Sequence, residues 1–259
     1  MSSEKIVTGV DLKLRTDPPL MGKSPPPQWG KDRVTDYINV VRENSFATFV
    51  KFNPEFSSLI EIDQLYRLAI DCAQNCRDWF ACLFILKSHS AFLVAVQLAV
   101  GTQIPESYMV MRGAIENALY GFYIFKHPEL AEVWLRRDES KDNKDKVREQ
   151  FKIGIIKALV AQFDNKLGEA VNILYERTID YGAHPNEKSL SSSLQKTDNK
   201  DSIRFDVIYL TGRELPIKLS IKTSTQIGIA CLKIFQLILP ERFRIIGISD
   251  RLSKISKGF

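Results

Sequence analysis

An arginine and a histidine lie seven residues apart in residues 175–186, which read Tyr-Glu-Arg-Thr-Ile-Asp-Tyr-Gly-Ala-His-Pro-Asn. They are Arg177 and His184. In RNA cleavage a histidine can deprotonate the 2′-hydroxyl group, and an arginine can stabilise the charge that develops on the phosphate. Neither step requires a metal ion. The two residues are therefore our candidate catalytic pair, for a reaction that needs no metal and no cofactor.

The spacing places both side chains on one face if they lie on a continuous helix. Seven residues turn an α-helix by roughly 700° and advance it by about 10 Å along its axis. Asp180 would then lie one turn before His184 and could orient its imidazole, as a third catalytic residue. Gly182 and Pro185 favour a helix end instead, and His184 would then cap the helix C-terminus. The sequence leaves both interpretations open.

A second polar pair, Arg112 and Glu116, lies in the predicted helix 105–126. Residues four apart share a helix face, and most of the neighbouring residues are apolar. One interpretation is a partly buried ion pair that specifies packing. The other is a polar cluster that meets His184 in space. The predicted supporting residues of the site are Arg112, Glu116, Tyr175 and Tyr181.

The elements that must position these residues are mainly helical. Apolar residues recur near a period of 3.6 along most of the chain, which is typical of amphipathic helices. The predicted helices are 32–50, 57–77, 78–100, 105–126, 128–138, 146–162, 168–181 and 223–239. Two inward faces are predicted in the later helices, one formed by Leu167, Val171, Leu174 and Thr178 and the other by Ile227, Cys231, Ile234, Phe235 and Ile238.

A change of period precedes the last helix. Phe205, Val207 and Tyr209 recur at every second residue, and so do Ile217, Leu219 and Ile221. This alternation predicts a β-hairpin at about 205–222, with Thr211-Gly212-Arg213 between its strands. Residues 186–204 are polar and are predicted as a surface loop. The predicted fold class is mainly α, a helical bundle with a small β-hairpin before the last long helix.

The two ends of the chain differ from the predicted helical domain 31–240. Residues 1–30 hold five of the eleven prolines, which predicts an extended N-terminal arm. Residues 241–259 hold five lysines and arginines against one glutamate and one aspartate. This basic C-terminal tail is either a solvated end or a contact for nucleic acid, an acidic lipid surface or a partner.

Composition excludes several functional classes. A net charge of +5 over 259 residues permits an anionic partner without implying one. The four cysteines lack zinc-site spacing and are interpreted as reduced thiols, which fits a cytoplasmic protein. The apolar run 79–100 contains Lys87 and His89, which favours a buried helix over a membrane span. Phosphate-loop, zinc-protease and hydrolase-elbow motifs do not occur.

The order of these signals resembles an uncharacterised bacterial family of helical proteins. Its pattern is an apolar helix and a glycine, a helix with Arg-x-x-x-Glu, and a late helix followed by His-Pro. Here the pattern corresponds to residues 92–101, then to Arg112 and Glu116, and finally to Tyr175 and His184-Pro185. Arg177 and His184, with six residues between them, also resemble the motif of the HEPN superfamily, which is an arginine, four to six residues, and a histidine.

HEPN proteins are helical bundles, often dimeric, and many are RNases of toxin–antitoxin, CRISPR and anti-phage systems. The resemblance implies a metal-independent endoribonuclease or toxin-type defence effector, with Arg177 and His184 catalytic at a homodimer interface. It also implies RNA as the substrate and a partner protein from the same system. The chain departs from the motif at Thr178, where Asn, Asp or His is usual, and at Gly182 and Pro185. The alternative is a non-catalytic helical interaction or regulatory module.

Overall fold

A computed structural model of the chain describes residues 24–76, 78–185, 187–199 and 202–258. The described chain is mainly helical, with a β-hairpin before the last long helix, which confirms the predicted fold class. The predicted extended arm lies outside the described residues up to residue 23. In its described part, residue 24 is a bend and residues 27–30 form a turn.

The elements follow one another with short connections. The helices of the first half are α1 (Arg33–Lys51), α2 (Asn53–Cys72), α3 (Trp79–Val100), α4 (Ile104–Lys126) and α5 (Leu130–Leu135). Those of the second half are α6 (Lys141–Gln150), α7 (Ile153–Phe163), α8 (Asn165–Thr178), α9 (Glu187–Ser193), α10 (Glu214–Ile238), α11 (Pro240–Ile245) and α12 (Ile248–Ser256). A π-helical turn, Ile179–Ala183, continues α8. The strands β1 (Leu194–Asn199) and β2 (Ser202–Val207) pair antiparallel.

Side-chain caps explain where several helices begin. The carboxylate of Asp32 accepts hydrogen bonds from the backbone N–H groups of Val34 and Thr35 at the start of α1. Ser140 caps α6 in the same way, and Asp164 caps α8. Such caps satisfy backbone donors that have no partner within the helix. The charged residues 141–150 form helix α6.

The core is formed by α2, α3, α4 and α10, which pack against one another. Every residue of the two predicted inward faces, on α8 and α10, is buried. Of the described helices, α3 is the one long and apolar enough to cross a membrane by length and composition. In this structure it packs against α2, α4 and α10.

The position of the β-hairpin corrects the prediction. Its strands are β1 and β2, with Leu194 opposite Val207 and Asn199 opposite Ser202. Ile217 and Ile221 are buried residues of α10, and not of a strand. The predicted surface loop 186–204 contains α9 and β1. The predicted strand residues Phe205 and Val207 do lie in β2.

The prediction of a basic C-terminal tail is also corrected. Residues 240–256 form α11 and α12, whose residues Phe243, Ile248 and Leu252 are buried in the same core. Arg242 donates from Nη1 to the carbonyl oxygens of Cys72 and Gln74, at 2.7 Å each, where α2 ends. A cation is favourable there because the last carbonyl groups of a helix carry partial negative charge. The segment therefore belongs to the helical domain.

His89 is a buried histidine within α3. Its Nε2 lies 2.8 Å from Oδ1 of Asp63, and its ring stacks on Tyr66 with centroids 5.0 Å apart. Nδ1 has no hydrogen-bond partner among the described residues. Burial lowers the pKa of His89 from its usual 6.5, although the hydrogen bond and charge of Asp63 oppose this, and the Arg67 charge lowers it further.

This lowered pKa predicts a loss of stability in mild acid. The unfolded chain binds the proton more tightly than the folded one, so the free energy of unfolding falls as pH drops below about 6.5. The loss ends once pH passes the lower folded pKa. Chemical denaturation between pH 7.5 and 5 measures it, and His89→Gln should flatten the slope. An equally steep slope in His89→Gln would contradict this origin.

Candidate active site

The π-helical turn after α8 is placed by a glycine. A Cβ atom on Gly182 would lie 2.1 Å from the carbonyl oxygen of Pro105 and 3.0 Å from Cβ of Tyr108. The turn can therefore lie directly on the first turns of α4 only because residue 182 has no side chain. His184 then adopts an extended backbone, with φ −135° and ψ 146°, which the following proline favours. The helix thus ends before His184, as Gly182 and Pro185 indicated.

This arrangement brings His184 to Arg112. Nη1 of Arg112 lies 2.9 Å from Nε2 of His184. Because a guanidinium group can only donate, Nε2 accepts this hydrogen bond and the imidazole is neutral in this geometry. Of the two interpretations of Arg112, the structure supports the polar cluster that meets His184.

Glu116 holds the guanidinium group of Arg112 in place. Its Oε1 accepts hydrogen bonds from Nε of Arg112 and from the Tyr175 hydroxyl group, each at 2.8 Å. The guanidinium carbon of Arg112 also lies 5.1 Å from the Tyr175 ring centroid, a cation–π distance. We call Arg112, Glu116, Tyr175 and His184 the polar cluster. It joins α4, α8 and the segment after the π-helical turn.

The protonation states within the polar cluster follow from its contacts. Burial raises the pKa of Tyr175, and the hydrogen bond to Glu116 raises it further, so the hydroxyl group stays protonated and donates. Burial lowers the pKa of Arg112, but the hydrogen bond and charge of Glu116 outweigh this and the net pKa is raised. Arg112 is therefore a permanent cation beside the exposed imidazole of His184.

Lys157 is a neighbour of the polar cluster that the sequence did not indicate. Its Nζ lies 4.5 Å from the Tyr175 ring centroid and binds Asn172 and Glu176. Nothing in the sequence linked α7 to the site, because Lys157 and Tyr175 are brought together by the packing of α7 on α8. Lys157 is thus a second cation in contact with the Tyr175 ring, and its charge is paired with that of Glu176.

The predicted pair of Arg177 and His184 is not formed within the chain. Arg177 donates from Nη1 to Oε1 of Gln226 at 2.7 Å and to Oγ1 of Thr223 at 3.3 Å, both on α10. His184 instead contacts Arg112 on α4. Arg177 and His184 therefore do not share the face of one continuous helix. The arginine beside His184 is Arg112.

Two further predicted site residues also lie elsewhere. Asp180 binds Nζ of Lys188 at 2.6 Å, so its carboxylate pairs with a lysine and does not orient His184. The ring of Tyr181 packs against that of Tyr108 in a tilted arrangement, with centroids 5.5 Å apart, on the side of the turn that faces α10. Of the supporting residues predicted with them, Arg112, Glu116 and Tyr175 are brought together and Tyr181 is not.

Comparison with protein-family models, with curated proteins and with solved structures finds no match. In the described part of the chain, no group of three or more His, Cys, Asp or Glu residues could hold a metal ion. The polar cluster offers an imidazole for proton transfer and a guanidinium group for binding an anion.

Proposed function

We propose that this protein is a HEPN-like ribonuclease whose catalytic groups are His184 and Arg112. The observation that carries the proposal is the 2.9 Å contact between Nη1 of Arg112 and Nε2 of His184 on an accessible surface. It combines a base and a phosphate-binding cation at one place, and these two groups can carry RNA cleavage without a metal ion.

In the proposed reaction His184 acts as the base. The substrate phosphate takes over the Nη1 donor of Arg112, which frees Nε2 of His184. Nε2 then removes the proton of a 2′-hydroxyl group, whose oxygen attacks the neighbouring phosphorus atom. The bond to the 5′-oxygen breaks, and that oxygen takes a proton from water. The protonated His184 returns its proton to the resulting hydroxide, and a 2′,3′-cyclic phosphate remains. Arg112 donates to the phosphate oxygens as their negative charge develops. Glu116 and Tyr175 position the guanidinium group.

The biological setting belongs to the same proposal. A ribonuclease of this kind would act as a toxin or anti-phage defence effector on cellular RNA, as a homodimer and with a partner protein from the same system. The four cysteines carry free thiols, three of them buried, which is consistent with a reducing cytoplasm.

The test compares wild type with His184→Ala in an RNA cleavage assay that contains a chelator. We expect His184→Ala to cleave about 100-fold more slowly, the lower end of a general-base effect. His127→Ala is the matched control, because His127 is also a partly exposed histidine next to a helix end.

Expression of each protein in bacteria checks the toxin role, with growth and RNA integrity measured at matched protein levels. Intact RNA with all three proteins contradicts the proposal.

One observation favours the non-catalytic alternative. Glu116 accepts from both Arg112 and Tyr175, so the polar cluster bridges α4 and α8 as a structural contact would. In that case His184→Ala lowers the free energy of unfolding by about 1 kcal/mol, the contribution of one hydrogen bond. Any cellular phenotype would then follow the protein level. Thermal unfolding of the same variants separates the two functions.

A further inference from the structure

A cavity opens on the side of the π-helical turn away from the polar cluster. Its volume is about 490 Å³, within the range of small-molecule sites. It lies between the start of α4, the end of α8 and the first turns of α10, and the segment after β2 closes one side. We call it the α10 cavity.

The charged residues of the α10 cavity are of one sign. Of the described residues that line it, three are basic and none is acidic. The three are Arg177, Arg213 and Lys222. A concave site lined by a single sign of charge concentrates ions of the opposite sign.

Arg177 lines this cavity and uses only part of its guanidinium group in hydrogen bonds. Its partners are the hydroxyl group of Thr223 and the amide oxygen of Gln226, which are both neutral, and both bonds come from Nη1. Nε and Nη2 have no hydrogen-bond partner among the described residues, and no described carboxylate pairs with the side chain. A partly buried guanidinium group without a counter-ion is suited to bind a carboxylate or phosphate in a bidentate manner.

The rim of the α10 cavity is apolar. Tyr209, Leu215 and Leu219 line it and are 72 %, 67 % and 49 % exposed. Large apolar side chains that remain accessible around a single cavity favour an apolar occupant, because its binding removes them from water. The lining therefore combines an anion-binding group with an apolar wall.

We propose that the α10 cavity binds a small amphipathic anion. Its carboxylate or phosphate head contacts Arg177, and its apolar body packs on Leu215, Leu219 and Tyr209. This site is separate from the polar cluster, and its test does not depend on RNA cleavage. Tyr181 lines the cavity three residues before His184, so an occupant would contact the turn that also carries the polar cluster.

The test is titration calorimetry of the full chain with four probes. Octanoate and octyl phosphate carry the two head groups, octanamide has the body without the charge, and inorganic phosphate has a head without the body. We expect at least one of the two amphipathic anions to bind at least about tenfold more tightly than octanamide and inorganic phosphate, as a charged hydrogen bond and a buried alkyl chain both contribute. The probe that binds more tightly shows whether the anion carries a carboxylate or a phosphate head group.

Two variants make the proposal falsifiable at the level of single residues. Arg177→Gln should remove the preference for the anion over octanamide, and Leu219→Ser should weaken the anions while it leaves inorganic phosphate unchanged. Arg148→Gln, an exposed arginine of α6, is the control and should bind as wild type does. Absence of saturable binding by either amphipathic anion, or affinities that neither variant changes, would overturn the proposal. If Arg177→Gln fails to fold, Leu219→Ser still tests the proposal, because Leu219 is exposed and its substitution leaves the core intact.

Discussion

Arg112→Lys is expected to lower kcat/KM for RNA cleavage by about 100- to 1000-fold, as the loss of one well-placed electrostatic donor does. Lysine keeps the charge but replaces a planar fork with a single ammonium group. Arg112 uses Nε for Glu116 and Nη1 for His184 at the same time. One ammonium group cannot reproduce both directions. The variant should therefore lose the geometry of the site while it retains its charge.

Two further substitutions show whether this loss is specific. Arg148→Lys should leave kcat/KM within about twofold, because Arg148 is exposed and pairs only at the surface of α6. Arg177→Lys tests the pairing that the sequence spacing predicted. A larger loss from Arg177→Lys than from Arg112→Lys would mean that Arg177 is the catalytic arginine, and that the contact between Arg112 and His184 is structural. Melting temperatures of all three variants separate catalysis from folding.

The apolar spacing of α8 and α10 was sufficient to predict their buried faces. Leu167, Val171 and Leu174 are bulky residues at helical spacing, and all three are buried. Burial of apolar side chains dominates helix packing, so a regular apolar stripe reports the inward face reliably. Several predicted helix ends also lie near their observed positions. The predicted helix 105–126, for example, corresponds to α4, which has Pro105 in its first turn.

The hairpin was misplaced because polar residues are buried at the start of α10. Ser220 and Ser224 face the core, where Ser220 hydrogen-bonds Ser107 and Ser224 bonds the carbonyl oxygen of Ser220. A hydroxyl group that finds a partner can be buried at little cost. These serines interrupt the apolar stripe, and what remains, Ile217 and Ile221 with Leu219 between them, alternates as a strand would. The start of α10 does have a helical period of buried residues, but some of them are serines, so a pattern of apolar residues alone does not show it.

The candidate site was predicted in part, for a related reason. Spacing along the chain identifies residues that share a helix face, and so it linked Arg112 to Glu116. The contact between Arg112 and His184 joins residues 72 positions apart and depends on how the π-helical turn crosses α4. No local pattern contains that crossing. A contact between His184 and Arg112 was one of the two interpretations that the sequence left open. It forms because the π-helical turn crosses α4 at this point.

That crossing gives the prediction with the largest effect on stability. Gly182→Ala is expected to lower the free energy of unfolding by about 1–3 kcal/mol, the usual cost of forcing an extra carbon into a packed site. The new Cβ would lie 2.1 Å from the carbonyl oxygen of Pro105, and backbone cannot rotate away as a side chain can. Urea denaturation measures the change. Gly113→Ala is the control, because a Cβ there meets nothing within 4 Å and alanine favours the helix by about 0.5–1 kcal/mol.

The same substitution tests how the turn serves the polar cluster. Any relief of the clash with Pro105 must move the turn off α4, and His184 lies two residues beyond it. Gly182→Ala should therefore slow RNA cleavage under conditions in which the variant remains folded. If it acts by displacing His184, the double variant Gly182→Ala/His184→Ala will be no slower than His184→Ala alone, since residues that act as one unit are not additive. Fully additive losses would show instead that the glycine supports activity by a route that does not pass through His184.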